Sequence, residues 1–219
     1  GADDKAGVAE IITALEYVVK HPDFRHGEIA FCFSPDEETG AGMEYFCKES
    51  FGADFAFTVD GAGWQEVEFE NFNAGTARVT ISGISIHPGY AKGEMVNALL
   101  VAAEFQQMLP CEKRPELTEG YEGFYHLMHM EGDCESCRMT YLIREADAGE
   151  YARMKEVLQE AAAFLNTKYA AQRIKLEIED EYQNMAEMVR PHMHLVDTAC
   201  QVIEELGGSP DIHLIRGGT

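Results

Sequence analysis

The sequence predicts an α/β chain interrupted by an inserted ferredoxin-like α+β layer, on three observations. Two runs, the continuously apolar 29–33 and the largely apolar 55–59, each lead into acidic residues and a glycine-bearing turn, the pattern of parallel strands covered on both faces. From residue 72 the apolar positions instead alternate in strands and recur at helical spacing in helices, in the order β-α-β-β-α-β, the split βαβ arrangement. After Tyr182 the first style returns. The domains expected are therefore 1–71 as the first part of an outer α/β domain, 72–186 as the insertion, and 187–219 as the incomplete second part.

Each element follows from its own pattern. Gly1-Ala2-Asp3-Asp4-Lys5-Ala6-Gly7 is a turn feeding a helix in which Val8, Ile11, Ile12, Leu15, Val18 and Val19 share a face, closed by Pro22. Asp3 or Asp4 is either its cap or part of a site. The first apolar run then delivers Ser34-Pro35-Asp36-Glu37-Glu38-Thr39-Gly40, a short helix is expected over about 42–49, and the second run delivers Asp60. In the insertion, strands are expected over about 76–82, 124–130, 138–144 and 174–179, with helices over about 94–108 and 148–166. Asp147 and Glu150 have capping-box spacing before the second helix. A last helix over about 194–206 stops at Gly207-Gly208, and a strand over 212–215 leads to Arg216-Gly217-Gly218-Thr219.

Composition bounds the function. With 219 residues and 46% hydrophobic content the chain can bury a sizeable core. A formal net charge of -22 excludes phosphate-backbone recognition and anionic membrane surfaces, both of which need clustered Lys and Arg. No apolar run approaches a membrane span and no secretory leader pattern opens the chain, so a cytoplasmic location is expected, without nucleic-acid or membrane partners. The six cysteines are scattered and do not form a disulfide framework. Cys134 and Cys137 have half a zinc-ribbon spacing, which a loop between two strands explains better than a redox or metal role.

The acids carry the chemistry. Glu37 and Glu38 follow one strand, Asp60 follows another, and Asp3 or Asp4 precedes the first helix, so three carboxyl-bearing positions converge on one sheet edge, where ligands of open α/β sheets bind. Neighbouring side chains in a turn diverge, so one glutamate can hold a cation while the other faces a substrate. A solvated acidic turn is the alternative for the Glu-Glu pair taken alone. Clustered carboxylates repel one another and a cation resolves that repulsion. Oxygen-only donors suit magnesium, manganese or calcium, and added imidazoles suit zinc or cobalt.

Asp3-Asp4-Lys5-Ala6-Gly7, Pro35-Asp36-Glu37-Glu38-Thr39-Gly40, Thr58-Val59-Asp60-Gly61, His87-Pro88-Gly89 and Arg216-Gly217-Gly218-Thr219, in this order around a ferredoxin-like insertion, resemble the M20 family of binuclear zinc peptidases. The stretches 70–74, 87–93 and 117–127 are similar to its branch that removes the N-terminal residue of tripeptides. The resemblance implies an α/β catalytic domain with a lid/dimerisation insertion, hence a homodimer, a small peptide substrate and two zinc ions, with cobalt or manganese as substitutes. It implies that Asp3 bridges the metals, that Glu38 and Asp60 are terminal ligands and that Glu37 is the general base. His87 is implied to reach the partner subunit's site and stabilise the tetrahedral intermediate, and Arg216 to grip a substrate carboxylate.

The other histidines match no family role. His126 and His129 are expected on opposite faces of their strand. The resemblance also calls for two imidazole ligands and one strand that this sequence does not contain, as in an internal fragment of a longer protein. The chain by itself is therefore expected to fold its insertion but not to hold a stable zinc pair or cleave peptides. Competing readings are a dipeptidase, acylase or carboxypeptidase using the same site, and a non-enzymatic dimerisation module, against which the retained Glu37 speaks.

Overall fold

The computed structural model describes residues 4–35, 39, 42–61 and 63–217, and the chain divides into two compact units, Gly1–Trp64 and Gln65–Thr219. In the first unit, helix α1 (Lys5–Lys20) begins at Asp4, whose carboxylate accepts the Gly7 amide at 2.8 Å. This satisfies one of the orphan donors of the first turn. The helix expected over 42–49 is confined to the single turn α2 (Lys48–Phe51), closed by Gly52 at φ 69°. Met43 and Tyr45 stay exposed, and without a buried face a short helix does not propagate.

The two apolar runs correct an expectation. Phe31 meets Phe33 and Phe55 meets Phe57, the i,i+2 contacts of extended chain. Neither run enters a strand ladder, and Ile29, Phe31, Phe33, Phe55 and Phe57 are all exposed. A strand covered on both faces needs neighbours on both edges and layers above and below. Among the described residues no ladder supplies them here.

The second unit holds a closed layer. Strands β2 (Asn73–Ser82), β3 (Phe124–Gly132), β4 (Ser136–Glu145) and β5 (Ile174–Tyr182) form a sheet of order β3-β4-β2-β5, with every neighbouring pair antiparallel. With helices α3 (Ala98–Met108) and α4 (Ala148–Lys168) as the two connections, this is the predicted β-α-β-β-α-β layer. Alternation sends Ala77, Val79, Ile81, Cys137, Met139, Tyr141 and Ile143 to one face, where they share a core with Val101 and Phe105 of α3 and Met154, Leu158 and Leu165 of α4. The opposite face carries Arg78, Thr80, Arg138 and Thr140, exposed or half-buried. A fully buried Leu or Phe contributes about 1.5–3 kcal/mol, so this core holds the layer together.

Boundaries move where backbone groups are already engaged. Helix α3 starts four residues later than expected because Val96 pairs with Ile84, and Asn97 then caps it by accepting the Leu99 amide. Asp147 caps α4 through the Gly149 and Glu150 amides. Its own amide goes to Glu145, so Glu145 takes the reciprocal place that Glu150 has in a capping box.

The remainder of this unit is a small parallel pair, β1 (Glu66–Val67) with β6 (Asp211–Ile212), extended by an Asn71–Ile215 bridge. Two helices, α5 (Ala186–Val189) and α6 (His194–Glu205), precede β6. The α6 stop is as predicted: Gly207 takes φ 84° and the Gly207 and Gly208 amides bond back to Glu204 and Ile203. No helix among the described residues is long and apolar enough to cross a membrane.

Candidate functional site

The start of helix α1 packs closely at Gly7. A Cβ at this position would lie 2.4 Å from the Val59 carbonyl and closer still to the Asp4 carboxylate, so the helix start can approach the end of the 55–59 run only because Gly7 lacks a side chain. That contact sets Asp4 and the first turn of α1 beside Val59, the residue preceding Asp60. Asp4 acts as the cap, which leaves its neighbour Asp3 as the site candidate. Asp3, Glu37 and Glu38 lie outside the described residues. Asp60 is described and exposed.

Among the described residues no three His, Cys, Asp or Glu side chains gather to hold a metal ion. The carried-over donors Asp3, Glu38 and Asp60 are all carboxylates, whereas zinc sites are ordinarily completed by His or Cys. By themselves these donors suit a hard cation and do not complete a zinc pair.

His87 stands on a loop pinched at its base. Beyond Ser82, the Gly83 amide bonds to Glu135, the Ile84 and Val96 backbones exchange bonds, and the Ala98 amide bonds to Cys134. A Cβ on Gly83 would sit 2.1 Å from the Cys134 carbonyl, so this glycine is required where the loop presses on the β3–β4 turn. At the tip, His87 is exposed, caps the 3-10 turn Pro88–Tyr90, and accepts the Gly89 amide on Nδ1 at 3.2 Å. An accepting Nδ1 puts the proton of the neutral ring on Nε2.

Arg216, expected to grip a substrate carboxylate, is engaged with protein groups. Its Nη1 donates to the carbonyls of Gly120 and Glu122, and its Nη2 donates to the carbonyl and hydroxyl of Thr118. The guanidinium also lies over the rings of Phe72 and Phe124, at 5.3 and 5.6 Å from their centroids. It therefore binds the 118–122 loop.

One cluster escaped the sequence reading. Asn184 donates its amide to the Asn73 side chain and its side-chain nitrogen to the Ala146 carbonyl, and its side-chain oxygen accepts the Asn71 and Ala186 amides. Asn73 donates in turn to Glu145 and Ala146, and Met185 donates to Asn71. The three asparagines clasp together the chain's entry to and exit from the inserted sheet. The available signal was the pair of asparagines flanking Phe72 at the start of a buried strand, where polar side chains need partners. Beside the clasp lies a groove of about 560 Å³. Among its charged groups, Lys155 and the Tyr151 hydroxyl both engage Asp180, so these polar groups are directed at one another.

The histidine reading is corrected in one place. The ladder slips between Leu127 and His129, and His126 and His129 face Leu142 and Thr140 respectively. Those two β4 residues share a face, so the bulge at Met128 puts both histidines on the same side of the sheet. The Cys134–Cys137 stretch is a strand-joining turn in which Asp133 accepts the Glu135 and Ser136 amides. Cys137 lies in the core, where burial raises its thiol pKa. All six cysteines are free.

Comparison with known proteins fits this geometry. Residues 69–173 match the M20 peptidase dimerisation domain, and that stretch contains three strands of the sheet, both helices and the His87 loop. Over this stretch the chain is similar to the M20 peptidase family. All 219 residues align with peptidase T from Geobacillus kaustophilus at 48% identity, covering 53% of that protein, and with peptidase T from Clostridium acetobutylicum at 46%, covering 54%. The chain thus spans about half the length of the curated relatives it matches. In fold, all of it superposes on the aminopeptidase PepT of Bacillus cereus with a TM-score of 0.85 at 22% identity, covering 58% of that chain. A tripeptidase of Staphylococcus aureus gives a TM-score of 0.83 at 21% identity, again covering all of this chain and 58% of the other.

Proposed function

We propose that this chain serves a metal-dependent aminopeptidase that removes the N-terminal residue from tripeptides and works as a homodimer joined through the inserted sheet. The observation that carries the reading is identity of 46–49% along all 219 residues to peptidase T from several bacteria. In this reading Asp3, Glu38 and Asp60 are carboxylate ligands of a pair of zinc ions, and Glu37 is the general base. Because zinc sites are ordinarily completed by His or Cys, this reading also calls for imidazole ligands. His87 is the donor offered to the partner's site, supported by its accepting Nδ1 and its stiffly anchored loop. Arg216 enters through the loop it holds. The substrate is a small peptide, and the charge of -22 argues against nucleic-acid and anionic-membrane partners. A cytoplasmic location is supported by six free cysteines.

The test is hydrolysis by the full-length protein of tripeptides, dipeptides and N-acyl amino acids, alongside metal analysis and light scattering. Tripeptide preference, two equivalents of zinc and a dimer are expected. Glu37→Gln should keep the metal and lose at least 100-fold in kcat, within the usual contribution of a positioned base. Preference for an N-acyl substrate would replace the aminopeptidase by an acylase. Absence of both metal and turnover would leave a dimerisation module.

A further inference from the structure

We propose that Arg216 is a positioning residue: it anchors one end of the inserted sheet to the segment that follows β6, sets where His87 stands at the other end, and leaves the substrate carboxylate to another group. The argument begins with donor arithmetic. A guanidinium has five N–H groups, four of them on the two Nη atoms. Here each Nη faces two acceptors, Gly120 and Glu122 for one and both Thr118 oxygens for the other. Only Nε–H remains, and a bidentate grip on a carboxylate needs two parallel N–H groups.

The remaining contacts are those of an anchor. The planar cation lies over Phe72, which leads into β2, and over Phe124, which opens β3, and these two rings meet edge to face. The loop that Arg216 grips is held from its other side as well, since a Cβ on Gly123 would collide with the Glu145 carboxylate and the Arg144 carbonyl. The anchor therefore fixes the ends of β2, β3 and β4 nearest Asn73, Phe124 and Glu145. His87 follows the opposite end of β2, nine strand steps or about 30 Å away, on a loop locked to the β3–β4 turn. A paired four-stranded sheet carries a small rotation at one end to the other as a larger displacement.

This inference rests on the role proposed above for His87, and its test separates the two. In the full-length protein, Arg216→Ala, Arg216→Lys and the milder Thr118→Val would be compared by amide hydrogen exchange over 118–124 and by kcat and KM on a tripeptide and its C-terminal amide, at a temperature where circular dichroism shows each variant folded. Faster exchange in 118–124 is expected for all three, since lysine cannot reproduce the fork. A fall of about tenfold in kcat for both alanine and lysine variants is expected, equal on acid and amide, with KM little changed. In a His87→Ala background the Arg216→Ala effect should shrink to less than twofold, because residues that act through one another are not additive. Selective loss of the acid over the amide with unchanged exchange would restore Arg216 as the carboxylate grip. Unchanged exchange and unchanged kcat would also overturn the proposal, as would a full tenfold loss in the His87→Ala background. If the wild type cleaves no tripeptide, the functional reading fails while the exchange result still judges the anchor.

Discussion

The two apolar strand runs of Gly1–Trp64 and the four strands of the inserted sheet are built from similar residues, yet one set lies open and the other closes a core. Phe31, Phe33, Phe55 and Phe57 are all exposed, whereas Val79, Ile81, Tyr141 and Ile143 are fully buried. Hydrophobicity does not separate them. The difference is completeness: β2 and β4 each have neighbours on both edges and two helices over one face, while the runs 29–33 and 55–59 enter no ladder. An apolar strand is stable in proportion to the partners its own stretch of chain supplies.

The strongest test of that contrast is truncation in the two places. Leu158→Ala removes a fully buried side chain from the layer's core and should cost about 2–5 kcal/mol. Phe33→Ala or Phe57→Ala, at positions already open to solvent, should cost less than about 1 kcal/mol. Urea unfolding of the chain, followed by circular dichroism, would check it. Equal losses would mean that the apolar runs are packed as tightly in solution as the sheet.

A glycine pair gives the next largest effect. Gly83→Ala would drive a methyl into the Cys134 and Val96 carbonyls, and forcing a shift of this kind costs about 1–3 kcal/mol. Gly27 has no atom within 4 Å of an added Cβ, so Gly27→Ala should be neutral or stabilise by about 0.5 kcal/mol through the unfolded chain. Thermal melting of the two variants reads the difference directly. A Gly83→Ala protein as stable as wild type would remove the argument that the His87 loop is pinned against the β3–β4 turn.

What was legible in the sequence follows the same division. The inserted layer could be read strand by strand because its alternation and caps are local signals, as Ile174, Leu176 and Ile178 and the Asp147 cap illustrate. The bulge at Met128 was not legible: a slip in pairing is a property of two strands, and the spacing of His126 and His129 alone gives the opposite face. The late start of α3 was hidden likewise, because Val96 fits a helical face until Ile84 engages its backbone. Near the expected site, the approach of Gly7 to the Val59 carbonyl is a contact between distant residues that no motif announces, and Arg216 illustrates the limit of motif reading. Its identity suits a carboxylate, and its acceptors on Thr118, Gly120 and Glu122 come into view only in the fold.

The smallest expected effect lies in the pH dependence of the inserted layer. Asp180 accepts hydrogen bonds from the Tyr151 hydroxyl at 2.7 Å and from Lys155 at 2.9 Å, and these, the tyrosine first, hold its carboxyl below the ordinary carboxylate range. A folded-state pKa lowered in this way means that the unfolded chain binds the proton more readily. The stabilisation is therefore complete above the ordinary aspartate value, declines as the pH falls below it, and is gone once the pH has dropped through the lower folded value. Because the Asp180 side chain is 60% exposed, solvent screening limits the effect to about 0.5 kcal/mol, as for other exposed pairs. The measurement is the difference in urea midpoint between wild type and Asp180→Asn from pH 7 down to pH 2, with Glu16→Gln on the exposed α1 pair with Lys20 as the control for charge removal. The Asp180→Asn difference should be constant near neutrality and vanish in acid. A difference that instead grew as the pH fell would mean that the Tyr151–Asp180–Lys155 contacts favour the protonated carboxyl, and that this corner of the layer is held together by some other interaction.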